Sequence, residues 1–87
     1  MIMRIKYISV YIGNFEMGEM SGSGKYFTND DTYIGNFYYN KPHGFCTHKT
    51  KTGDIYKGEW KHGVKHGHGE YKTTSTGAIF KGRWNKE

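Results

Sequence analysis

Tyr56-Lys57-Gly58-Glu59-Trp60, followed after six intervening residues by Gly67-His68-Gly69-Glu70-Tyr71, is the stretch from which the fold can be read. Alternate side chains of an extended strand share a face, so Tyr56, Gly58 and Trp60 point one way and Lys57, Glu59 and Lys61 the other. On the partner strand Gly67, Gly69 and Tyr71 share a face too. Glycines set opposite aromatics let a ring lie flat on backbone that has no Cβ, at the cost of glycine's chain entropy. The segment therefore predicts a β-hairpin built as an aromatic-on-glycine ladder.

The pattern aromatic-x-Gly-x-aromatic recurs along the chain. Tyr11-Gly13-Phe15, Tyr33-Gly35-Phe37, Tyr56-Gly58-Trp60 and Phe80-Gly82-Trp84 follow one another at offsets of 22, 23 and 24 residues. Gly22-Ser23-Gly24-Lys25-Tyr26 and Gly44-Phe45-Cys46-Thr47-His48 stand where Gly67 to Tyr71 stands in the third copy. A fixed period of this length marks a repeat architecture. One hairpin alone is marginal, so successive hairpins stack into a single elongated, twisted antiparallel sheet. The expected division is a leading edge strand over 1–10, repeats over 11–32, 33–55 and 56–79, a partial repeat over 80–84 and a tail over 85–87. Both ends of that sheet are then edges, and edges invite self-association.

Composition agrees. The chain has 87 residues, 17% of them aromatic and thirteen of them Gly, with no Leu and one Ala, which favours an all-β fold over helix. So short a chain holds one small domain and no large enzyme core. The single cysteine, Cys46, cannot form an internal disulfide, and no stretch reaches the roughly 18 apolar residues of a membrane span. These features lead us to expect an intracellular protein, soluble or peripheral to a membrane.

The motif Tyr-x-Gly-x-Trp, then His-Gly-x-Gly, then Tyr, clearest from Tyr56 to Tyr71, resembles the MORN repeat (membrane occupation and recognition nexus). The resemblance covers about residues 11–84. The second copy departs most, with Asn40, Cys46 and His48 where the third has Gly63, Gly69 and Tyr71. The resemblance implies a non-enzymatic scaffold or connector of the kind found in ciliary axonemes and their radial spokes, in protist cytoskeletons and at membrane junctions.

Other constellations carry less chemistry. Ser21-Gly22-Ser23-Gly24-Lys25 lacks the spacing and the helix of a phosphate loop. His62, His66 and His68 share a face only on a flat strand, so no metal site is expected. Cys46 and His48 have the parity of a nucleophile pair, but no acidic residue in their neighbourhood obviously orients the imidazole. Neither catalysis nor a cofactor is expected.

Between copies, the face away from the ladder changes character. Ile12, Phe27, Ile34, Tyr38 and Phe45 make it apolar in the first two repeats, where an exposed patch predicts a protein partner. Lys57, Lys61, Lys72, Lys81 and Arg83 make it basic afterwards. Residues 41–87 carry ten of the thirteen Lys and Arg residues. A basic face of this kind offers a second reading, attachment to anionic phospholipid. Nucleic-acid binding is not expected, because Tyr56, Trp60 and Tyr71 are committed to the ladder rather than free to stack on bases.

Overall fold

The structure is a computed structural model, described here for residues 9–84. Seven strands follow one another: β1 (Ser9–Glu16), β2 (Glu19–Thr28), β3 (Asp31–Tyr38), β4 (Lys41–Thr50), β5 (Ile55–Lys61), β6 (Val64–Lys72) and β7 (Ile79–Trp84). All pair antiparallel with their sequence neighbours in one open sheet. The fold is thus the expected all-β stack of hairpins. The expected leading strand lies almost wholly outside the described residues, of which Ser9 and Val10 belong to β1.

The hairpin turns are two residues long. Met17-Gly18, Tyr39-Asn40 and His62-Gly63 all have positive φ at both positions, the turn whose twist matches that of paired strands. Asn40 replaces glycine here with a gain: its side-chain oxygen accepts the Met20 amide at 2.8 Å, tying one hairpin to the one before it. Connections between repeats run over 29–30, 51–54 and 73–78, and they absorb the drift of the period from 22 to 24.

The register differs from the expected pairing of glycine against aromatic. Like faces like: Tyr11, Tyr26, Tyr33, His48, Tyr56, Tyr71 and Phe80 form one row across the sheet, and Gly13, Gly24, Gly35, Cys46, Gly58, Gly69 and Gly82 the next. Rings reach glycine by leaning along the strand. The Tyr56 side chain covers both Gly58 and Gly69: a Cβ at Gly69 would meet its ring carbons at 2.5–2.6 Å and one at Gly58 its hydroxyl oxygen at 2.5 Å, and that hydroxyl donates to the Glu59 carbonyl at 3.2 Å. Tyr11 repeats this over Gly13 and Gly24, donating to the Asn14 carbonyl at 2.9 Å.

Gly67 departs from its expected face. Between Gly58↔Gly69 and Trp60↔Lys65, one residue of β5 faces three of β6, and the equivalent bulge follows Gly13 and Gly35. The extra residues centre on Gly22, Gly44 and Gly67, all at positive φ. At Gly67 the missing Cβ points to the Glu59 carboxylate, away from the aromatic face.

The core sits on the aromatic face, where Met20, Phe37, Cys46, Tyr56 and Trp60 are buried. Edge-to-face contacts link Tyr56 to Trp60 at 5.5 Å and to Trp84 at 5.6 Å. Phe15 and Phe80 belong to this face but lie 61% and 56% exposed, each on a strand that is outermost among the described residues.

Candidate interaction surface

Strand parity and register together decide what meets on the opposite face. Ile12 faces Lys25 and Lys25 faces Ile34, so the three form a line across β1, β2 and β3. Phe45, on β4, joins them. These residues, with Ser23 and Asn36, line a shallow hollow of about 550 Å³. Ile12, Ile34 and Phe45 are 62%, 44% and 57% exposed. Among the described residues Lys25 has no ion-pair partner. Among the described residues Lys25 is the one basic residue lining an otherwise apolar and neutral hollow, a feature the residue types alone did not single out.

The other two expected residues stand apart. Phe27 faces Val10 and Thr32, one row nearer the connections between repeats. Tyr38 lies at the turn end of β3, 4.4 Å from the Tyr39 ring and 5.4 Å from His43. The expected five-residue patch is therefore a cluster of three with two satellites.

The basic residues share the outer face of β5 to β7 but are interrupted. Glu70 faces both Lys57 and Lys81, Arg83 faces His68, Lys72 lies between Ile55 and Ile79, and Lys61 faces Val64 at the turn. Lys65 belongs to the other face, its ammonium 5.1 Å from the Tyr56 ring and 5.3 Å from Trp60. There it makes cation–π contacts rather than adding to the outer charge.

The Cys46 and His48 pair is organised for packing. An acidic residue does orient the imidazole, contrary to the sequence reading: Asp31, on the neighbouring strand, lies 2.9 Å from His48 Nε2. The same ring stacks on Tyr33, with centroids 4.3 Å and planes 2° apart. Cys46 is fully buried, and that burial pushes its thiol up to about 11. A thiol so held is almost wholly protonated near neutral pH and makes a poor nucleophile. Burial also raises the Tyr33 hydroxyl, with Asp31 adding to the effect.

His62 donates its backbone amide to His43 Nδ1 at 3.1 Å. Among the described residues no group of three or more His, Cys, Asp or Glu side chains is placed to hold a metal ion, and no helix is long and apolar enough to cross a membrane.

No curated protein matches the chain. A family model does, over residues 11–32, 33–55 and 56–75, which is most of the sequence, and it is that of the MORN repeat. The matched segments are the three hairpins β1–β2, β3–β4 and β5–β6, with β7 standing as the first strand of a fourth copy. With its period, its hairpin stack and this match in agreement, the chain belongs to the MORN-repeat family.

Proposed function

We propose that this chain is a non-enzymatic scaffold or adaptor that holds protein partners in an intracellular cytoskeletal or ciliary assembly, such as an axonemal radial spoke. Repeats of this family commonly serve protein–protein or membrane-binding roles, and the family is one of scaffolds rather than enzymes. The observation that carries the reading is the hollow of Ile12, Ile34 and Phe45, whose apolar side chains stay exposed side by side. Clustered apolar surface of this kind is costly to leave in water and serves as a contact site. The choice of assembly rests on the family's usual settings.

A second reading is peripheral binding to anionic phospholipid. It is favoured by the five basic side chains Lys57, Lys61, Lys72, Lys81 and Arg83 on the outer face, and it is weakened by Glu70 between Lys57 and Lys81.

One experiment separates the two. Immobilised protein is exposed to source-cell extract at about 150 and about 500 mM salt, a range that strongly screens exposed charge, and retained proteins and lipids are identified. A defined protein set that survives high salt, is lost with Phe45→Glu or Ile34→Glu and persists with Lys57→Glu supports the scaffold. Retention of anionic lipid alone, only at low salt and lost with Lys57→Glu or Lys81→Glu, replaces it with the second reading.

A further inference from the structure

A second hollow, of about 260 Å³, lies at the turn end of the sheet where the first two hairpins meet. Glu16 and Glu19 line it from the first hairpin, and Tyr38 and Tyr39 from the second. The two hairpins are held in place here by Asn40, whose side-chain oxygen accepts the Met20 amide at 2.8 Å and whose amide donates to the Met20 carbonyl at 3.3 Å. The tyrosine rings meet at an angle of 56° with centroids 4.4 Å apart, so they form a corner. The Tyr39 hydroxyl is raised above its ordinary value, first by its hydrogen bond with Tyr38 and further by the charges of Glu19 and Glu16, which puts both carboxylates within electrostatic reach of that ring.

The two carboxylates stand directly opposite each other across β1 and β2. Like charges so placed destabilise a strand pair. The repeat itself does not require them, because the same pair of positions holds Tyr38 and Lys41 in the second hairpin and Lys61 and Val64 in the third. The chain has thirteen Lys and Arg residues against eight Asp and Glu, yet among the described residues neither Glu16 nor Glu19 has an ion-pair partner. Ser21 donates its hydroxyl to Glu16 at 3.2 Å, a neutral contact that leaves the repulsion in place.

We propose that this hollow binds the guanidinium of an arginine carried by another protein. A guanidinium stacks on tyrosine faces while its N–H groups bond to carboxylates, and the hollow offers both kinds of partner side by side. The bound cation also removes the repulsion between Glu16 and Glu19, so binding is favoured by more than the new contacts alone. A hollow just under the roughly 300–1,000 Å³ of small-molecule pockets suits one side chain rather than a larger ligand. It shares no lining residue with the hollow of Ile12, Ile34 and Phe45, so the site stands or falls independently of that surface.

The test is titration of the isotope-labelled 87-residue protein with N-acetyl-arginine amide, followed by amide chemical shifts. The corresponding citrulline amide, which has the same shape without the charge, and tetramethylammonium are titrated in parallel. Saturable shifts at millimolar arginine amide are expected, centred on residues 16–21 and 38–40, and the citrulline compound binds at least about tenfold more weakly. Glu19→Gln and Tyr39→Asn each weaken arginine binding about fivefold or more. Both keep the melting temperature within about 2 °C or raise it, because the first relieves a like-charge pair and asparagine suits the left-handed backbone of Tyr39, φ 52°. If Tyr39→Asn fails to fold, Tyr38→Val and Glu19→Gln decide. No saturable shift, shifts centred on another surface, equal binding of the citrulline compound or undiminished binding to folded Glu19→Gln overturns the proposal. So does tighter binding of tetramethylammonium, which assigns the hollow to a quaternary ammonium group.

Discussion

Gly69 and Gly82 are direct partners across β6 and β7, yet the Tyr56 ring covers the first and, among the described residues, nothing covers the second. Residue type and row are the same. Gly82 stands on β7 where Gly58 stands on β5, and Phe80, in the place of Tyr56, does not reach it.

That contrast gives opposite expectations for one substitution. Gly69→Ala drives a methyl into the fully buried Tyr56 ring and should destabilise by about 2–3 kcal/mol, the range for overpacking a core. Gly82→Ala meets no atom of the described residues at ordinary strand φ and should be neutral or stabilising by about 0.5 kcal/mol through the unfolded chain. Urea midpoints of the two variants measure the difference, and equal losses would show that Tyr56 does not rest on Gly69.

Burial of Cys46 makes stability fall in alkali. Its thiol moves from 9.0 unfolded to about 11 folded, so the native state holds the proton that the unfolded state releases. The contribution is fully present below about pH 9 and is lost as pH rises toward 11, about 2–3 kcal/mol across the window. Tyr33 and Tyr56, also raised by burial, add a slope of the same sign. Subtracting the Cys46→Ala curve from wild type isolates the thiol, and a difference independent of pH between 8 and 11 would refute its raised titration.

The two tryptophans occupy equivalent positions with unequal bonding. Trp60 Nε1 donates to the Cys46 carbonyl at 3.0 Å, whereas Trp84 Nε1 is buried with no partner among the described residues. Removing a satisfied donor costs the bond, while removing an unsatisfied one relieves a desolvation penalty. Trp60→Phe should therefore cost about 2 kcal/mol and Trp84→Phe less than about 0.5, by chemical denaturation. Equal costs would count against the bonding difference.

Met17 holds φ 54° in the first hairpin turn and is 96% exposed, so its side chain gains little there. Left-handed backbone costs an ordinary L-residue roughly 1 kcal/mol, and asparagine less. Met17→Asn, which produces Asn before Gly18, should raise stability by about 0.5–1 kcal/mol. A melting temperature unchanged or lowered would show that the turn is not strained.

Much of this was legible before the structure. The offsets between Tyr11, Tyr33, Tyr56 and Phe80 announced the repeat, and strand parity placed Lys57, Lys81 and Ile34 on the outer face. The family match and the seven-strand sheet agree with that reading. The second repeat shows where it ran out. Asn40 and His48 looked like departures, yet one ties Met20 to the next turn and the other bridges Tyr33 and Asp31.

By itself the sequence determined the all-β stack and the identity of the two faces, because a period of two along a strand and a period near 23 along the chain are local properties. Only the tertiary structure decided that glycine pairs with glycine, that Gly67 turns toward Glu59, that Asp31 reaches His48 and that Lys25 stands between Ile12 and Ile34. Each of these depends on register between strands. A bulge that sets three residues against one shifts that register without altering the residue types that carry the repeat.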